Sequence, residues 1–160
     1  MTSTYVYDRT DELLAWAETK IPNCRFRTDA VAIGHLRDDR IAGVVVFDTF
    51  SANSCCISLA SDGSARWMTR AFAVRAMAYP FIQCGFNHVL SVVSSLNEAS
   101  LRYTERFGWT RTGVLREAGA LKEDLIVFDL LRRECRFLPE NNPALFPARA
   151  TAGKKALVAV

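Results

Sequence analysis

The run CCISLA (residues 55–60), SDGS (61–64), ARWMTRAFAVRAMAYPF (65–81), HVLSVVS (His88–Ser94) and NEASLRYTERF (97–107), closed by Gly108 and Trp109, decides the fold. It reads as strand, tight polar turn, long helix, strand, short helix. A strand, a helix and a second strand over this length make a βαβ unit with two parallel strands. The helix start then lies at the carboxyl end of the first strand, where free N–H groups and the helix dipole favour an anion. Asp62 or Ser64 is the expected cap, and Gly63 lets a ligand approach the backbone. Arg66 and Arg70 fall in or near the first turn, where a cation opposes the dipole unless a phosphate-bearing ligand lies beside it. Arg66, Thr69 and Arg70 also read as an ordinary solvated face. Met68, Ala71, Phe72, Val74, Met77, Ala78 and Phe81 recur at helical spacing and read as core, with Pro80 breaking the helix end.

The second half of the run carries further motifs. Asn97-x-x-Ser100 is followed by Phe107-Gly108-Trp109, by Thr112-Gly113-x-x-Arg116, by Glu123-Asp124-Leu125-Ile126-Val127-Phe128, and by a closing Leu131-Arg132-Arg133-Glu134. Upstream stand Trp67-Met68-Thr69-Arg70, Tyr79-Pro80-Phe81 and Gly85-Phe86. In this order and spacing, over residues 57–135, they resemble the GNAT N-acetyltransferase superfamily, in particular its ribosomal-protein and small-amine branch. The resemblance implies an α/β fold with a central mixed sheet of six or seven strands. The N-terminal strands would be antiparallel, and the parallel βαβ pair would splay apart at the cofactor site. It also implies acetyl-CoA as co-substrate and transfer of its acetyl group to a primary amine, on a protein N-terminus or a small molecule.

The resemblance assigns residues as well. The backbone around Leu59 and Ala60 would hold pantetheine. Ser61, Gly63, Ser64, Arg66, Trp67, Thr69 and Arg70 would hold the pyrophosphate, and Asn97 with Ser100 would fix the cofactor near its thioester. Asn97 also reads as a plain helix N-cap. The family's phosphate loop, Q/R-x-x-G-x-G/A, is here Ser61-Asp62-Gly63-Ser64-Ala65-Arg66, with one glycine. Its tyrosine general acid, seven residues after the Asn, is here Thr104, with Tyr103 one residue early. One residue is about 100° of helical rotation, so Tyr103 and Thr104 are both candidates. These two departures also fit a GNAT-like module that binds CoA or a partner without turnover. A protein that merely reuses the fold would bind nothing in the cleft.

Upstream, Asp8 or Thr10 caps an amphipathic helix through Lys20, which Ile21-Pro22 ends. Residues 23–29 form a loop bordering the acceptor in the family plan. Residues 30–37 and 41–50 read as a hairpin, and Val44-Val45-Val46-Phe47 implies burial on both faces. Residues 109–115 and 124–131 form a last hairpin around a charged loop at 116–123. Arg116 and Glu117 in that loop are placed to orient a substrate or are simply solvated. His35 and Glu117 are the base candidates, although a strand histidine is usually structural. Residues 1–136 form one domain, and residues 137–160 read as a partly ordered tail with Pro139, Pro143 and Pro147.

Composition excludes several classes. A net charge of +3 over 160 residues argues against nucleic acid. No run is long and apolar enough to span a membrane, and the N-terminus lacks a leader's apolar core, so a cytoplasmic location is expected. The five cysteines, Cys24, Cys55, Cys56, Cys84 and Cys135, have neither disulfide nor metal spacing. Exposed edge strands would allow a homodimer.

Overall fold

The computed structural model describes residues 1–146. Its strands are β1 (Ser3–Val6), β2 (Val31–Arg37), β3 (Arg40–Asp48), β4 (Ser54–Ser61), β5 (His88–Ser94), β6 (Thr110–Leu115) and β7 (Leu125–Leu131). Its α-helices are α1 (Thr10–Lys20), α2 (Arg70–Ala78) and α3 (Glu98–Phe107). The seven strands form one mixed sheet in the order β1-β2-β3-β4-β5-β7-β6. Only β4 and β5 are parallel; the other pairs are antiparallel. This is the expected mixed α/β architecture.

Two cores sandwich the sheet. On one face Ile33, Val45, Phe47, Ile57, Phe128 and Leu130 pack with Phe72 and Met77 of α2 and Phe107 of α3. On the other, Val44, Val46, Ala32, Leu36 and Ala60 pack with Leu13 and Ala17 of α1. Alternate residues of β3 therefore enter opposite cores, which fixes its register from both sides. The apolar run read in β3 is buried on both faces as expected.

The structure corrects the sequence reading at several points. β1 pairs with β2 over Ser3–Val6 and is an unforeseen strand, too short to show a period. The helix expected over 65–81 begins only at Arg70. Thr69 caps it, its Oγ1 accepting the Phe72 N–H at 3.1 Å, so neither Asp62 nor Ser64 is the cap. Asp62 instead closes a local turn by accepting the Ser64 N–H at 2.8 Å. At the other end the α-helix stops at Ala78 and passes into a π turn over Tyr79–Gln83 that holds Pro80, the break or kink expected there. That geometry absorbs the missing N–H. At α1 the cap position is Arg9, with no side-chain cap, rather than Asp8 or Thr10. The expected tail begins as packed structure, with Leu138 fully buried beside Cys135. Residues 147–160 of that tail lie outside the described residues.

Candidate functional site

The site begins where β4 and β5 part. They pair at only three positions, Ser54 with His88, Cys55 with Val89 and Cys56 with Leu90. Beyond Cys56, β4 stays paired with β3 as far as Ser61, and β5 stays paired with β7 as far as Ser94. The two strands diverge toward their carboxyl ends, as expected. In a strand, successive amides alternate between its two edges, so 57–61 presents backbone N–H and C=O groups to the gap. An extended ligand can add to such an edge. Leu59 and Val93 of these strands, and Leu101 of α3, pack partly buried against the same core.

The segment 62–69 leads from β4 to α2 across the mouth of the gap. Trp67 covers the β3 backbone at Gly43, where a Cβ would lie 2.5 Å from the indole; any larger residue there must displace the ring. The Trp67 carbonyl accepts from His35 Nδ1 at 2.7 Å. A carbonyl only accepts, so Nδ1 carries the proton, and Nε2 accepts the Ser3 hydroxyl at 3.2 Å. His35 is fully buried and stacked on Tyr5, with ring centroids 5.2 Å apart. Both its nitrogens are engaged, so it is a structural residue that anchors the loop and not a base facing an acceptor.

Thr69 joins this network, its Oγ1 sharing a 3.3 Å hydrogen bond with the Tyr5 hydroxyl. Arg66 lies in the loop four residues ahead of Arg70, outside the first helical turn, contrary to the expectation. Arg70 occupies that turn, where the N–H groups of Arg70 and Ala71 have no partner within the helix. Gly63 takes φ +84°, a left-handed conformation that favours glycine. Ser64 Oγ is buried without a hydrogen-bond partner among the described residues.

On α3, Asn97 is the N-cap, its Oδ1 accepting the Ser100 N–H at 3.1 Å. Gly108 closes the helix in the left-handed conformation, φ +110°. The two candidate acids separate clearly. Thr104 is buried and gives its hydroxyl proton to the Ser100 carbonyl at 2.8 Å, inside its own helix. Tyr103 turns toward the loop, its ring 5.5 Å from that of Trp67. Burial pushes its phenol pKa up, so it is a proton donor at neutral pH.

Beside the α2 N-terminus opens a cavity of about 250 Å³ walled by Arg70, Arg106 and Arg136, with Tyr103, Phe107 and Phe137 among its apolar lining. No carboxylate lines it, and none of the three arginines is in an ion pair among the described residues. Arg136 is held in place by donating to the Arg106 carbonyl at 2.7 Å and lying 5.1 Å from the Phe137 ring. Three unneutralised guanidinium groups beside a helix N-terminus and aromatic rings give the pocket the charge and apolar surface that a phosphorylated, ring-bearing ligand would need. Sequence reading missed Arg106 and Arg136. Arg106 lies one helical turn beyond Tyr103, a spacing that could have revealed it, whereas nothing periodic marks Arg136.

At the edge of the sheet, the loop after β6 borders an open cavity of about 760 Å³ lined by Val114, Leu115, Arg116, Glu117 and Asp124. Glu117 has φ +55°, and its N–H donates to Asp124 Oδ1 at 2.9 Å. Glu123 ties the loop to the end of β5, accepting from Ser94 Oγ at 3.1 Å and from the Leu121 N–H at 2.8 Å. Backbone N–H groups, its own and that of Leu121, hold its carboxyl below the usual carboxylate range. Arg116 and Glu117 therefore lie together on the cavity wall.

No family model matches the chain, and no curated protein matches it in sequence. Solved structures do match in shape. A probable acetyltransferase is 22% identical, with a TM-score of 0.58 over 67% of this chain and 64% of that one. Mutant forms of the spermidine/spermine N-acetyltransferase SpeG from Vibrio cholerae are 12% identical, with a TM-score of 0.69 over 87% of this chain and 99% of that one. The structure of yncA from Salmonella typhimurium with its cofactor acetyl-CoA is 16% identical, with a TM-score of 0.64 over 82% of this chain and 94% of that one. The chain thus spans just under two thirds of the first and nearly all of the other two. The chain shares its fold with these acetyltransferase structures.

Proposed function

We propose that the protein is an acetyl-CoA-dependent N-acetyltransferase that moves the acetyl group directly to a primary amine. The observation that carries this reading is the free edge of β4 leading into a pocket of three unpaired arginines at the start of α2. The residues fit the cofactor: the pocket has charge for phosphates and rings for a base. On this reading the backbone at Leu59 and Ala60 holds the pantetheine arm. Ser61, Gly63, Ser64, Arg66, Trp67, Thr69 and Arg70, joined by Arg106 and Arg136, hold the phosphates, and Asn97 with Ser100 frames the inner end.

Acetyl-CoA supplies an activated acyl group. The protein's part is to align it with the amine, and positioning alone supplies much of such a rate. Backbone N–H groups of 58–60 that face the gap stabilise negative charge developing on the carbonyl oxygen. Tyr103 is the donor that protonates the leaving sulfur, because the Thr104 hydroxyl is committed to Ser100. Glu117 stands on the acceptor side as the group that takes the amine's proton, directly or through water. SpeG is named as acting on spermidine and spermine, and small aliphatic amines are accordingly the first acceptors to try. A homodimer through the exposed edge strand β6 and a cytoplasmic location belong to the same proposal. Among the described residues no helix is long and apolar enough to cross a membrane.

The test is calorimetry with acetyl-CoA, desulfo-CoA and 3′-dephospho-CoA, followed by thiol release with a panel of amines. Micromolar acetyl-CoA binding together with amine-dependent CoA release supports the reading. Binding without release under every amine leaves a CoA-binding module, and no binding sinks both.

A further inference from the structure

Ser54, His88 and Asp129 stand apart from the gap, at the closed end of the β4–β5 seam. His88 Nδ1 lies 2.7 Å from Ser54 Oγ, and His88 Nε2 lies 3.4 Å from Asp129 Oδ2. One side chain thus links three adjacent strands in a row, β4 to β5 to β7. The backbone seam it reinforces is only three register pairs long and starts at Ser54 and His88 themselves. We infer that this trio is a clamp that fixes the hinge of the gap, and that His88 is a positioning residue for the acetyl-transfer site. The inference rests on the acetyl-CoA reading above.

The chemistry suits a permanent clamp. Asp129 Oδ2 faces Nε2 as a charged neighbour, a longer contact than the Ser54 link. With neutral imidazole, Nδ1 accepts the Ser54 hydroxyl proton; with imidazolium, Nδ1 donates and the hydroxyl accepts. The serine can take either role, so the link between Ser54 and Nδ1 does not depend on which atom carries the proton. Pairing with β3 already holds Cys56–Ser61, so the clamp acts at the seam itself: it fixes how far β5 stands from β4 where the gap begins. The same three residue types could describe a hydrolytic triad, but neither cavity reaches Ser54. His88 and Asp129 keep 30% and 25% of their side-chain surface exposed, so the clamp contributes more to alignment than to core stability.

The test compares His88→Phe, Ser54→Ala and Asp129→Asn with the wild type in the full chain. Acetyl-CoA affinity is read by calorimetry, and amide exchange is read at Cys55–Ile57. Loss of the clamp in the first two should weaken acetyl-CoA binding about tenfold and speed exchange at Cys55–Ile57, with thermal midpoints little changed. Asp129→Asn keeps an acceptor for Nε2 and should bind within about twofold of wild type. Wild-type affinity and wild-type exchange in Ser54→Ala would overturn the clamp. If the wild type itself fails to bind acetyl-CoA, the enzymatic reading falls and takes the positioning role with it. Exchange at Cys55–Ile57, which needs no cofactor, then separately shows whether the seam is clamped.

Discussion

The two edges of β4 are built differently. Toward β3 the strand is paired at six positions, from Cys56 opposite Asp48 to Ser61 opposite Gly43. Toward β5 it is paired at three and then open. Antiparallel pairing is the more stable kind per residue, and on that side β3 is locked by cores on both faces. On the other side β5 carries Ser91, an exposed Val92 and Ser94. One edge thus holds the strand in the protein, which leaves the other free to hold something else. Stability and binding are separated across the width of a single strand.

That separation can be broken from the paired side. Phe47 is fully buried opposite Ile57, its ring 4.8 Å from that of Tyr79. Phe47→Ala should cost about 3–5 kcal/mol of stability, measured by urea denaturation, and should lower acetyl-CoA binding only as far as the protein unfolds. The open side should respond in the opposite way. Replacing Arg70 and Arg136 together by alanine should weaken acetyl-CoA binding about a hundredfold or more, since charge-assisted contacts contribute about 1.5–3 kcal/mol each. The denaturation midpoint should barely move. A double variant that binds as the wild type does would remove the arginine pocket from the cofactor site.

Thr69 sharpens the comparison because it serves both sides: it caps α2 and holds the loop to Tyr5. Thr69→Ala should cost about 1 kcal/mol, and Thr69→Ser should restore most of it; an alanine variant of wild-type stability would show that the cap is dispensable. The smallest effect belongs to the seam's thiols. Burial raises Cys55 from 9.0 to about 12 and Cys56 to about 11. An acid whose folded pKa is raised stabilises the fold fully below its unfolded value and loses that contribution as pH rises. Stability should therefore hold to about pH 8 and decline from pH 9 to 11. Cys56→Ala should make that decline shallower in paired urea titrations at pH 8 and pH 10; identical slopes would exclude the thiol.

Much of this was legible in the chain. The β4–α2–β5–α3 order follows from period and turn chemistry, and the His88–Ser94 strand falls where its β-branched run places it. The parting of the strands came from the family resemblance and not from any residue pattern. The start of α2 was misplaced because Asp62, Ser64 and Thr69 are all competent caps, and the choice among them was made by Tyr5 and Trp67, which are distant in sequence. His35 could not be assigned without knowing that the Trp67 carbonyl meets it. Arg136 joins the pocket only because Phe137 and Leu138 dock on the core from a segment with no pattern of its own.

The three-position seam has a kinetic consequence. It joins residues 34 apart in sequence, while β2, β3 and β4 pair through short turns. Long-range pairing must meet its loop-closure entropy before its contacts form. The seam therefore closes late in folding, after the β2–β4 meander. The small loss of stability from substitutions at Ser54 or His88 should appear in the unfolding rate and not in the folding rate, whereas substitutions in β3 should slow folding. The cleft would then be assembled after the meander that supports it and would come undone before it.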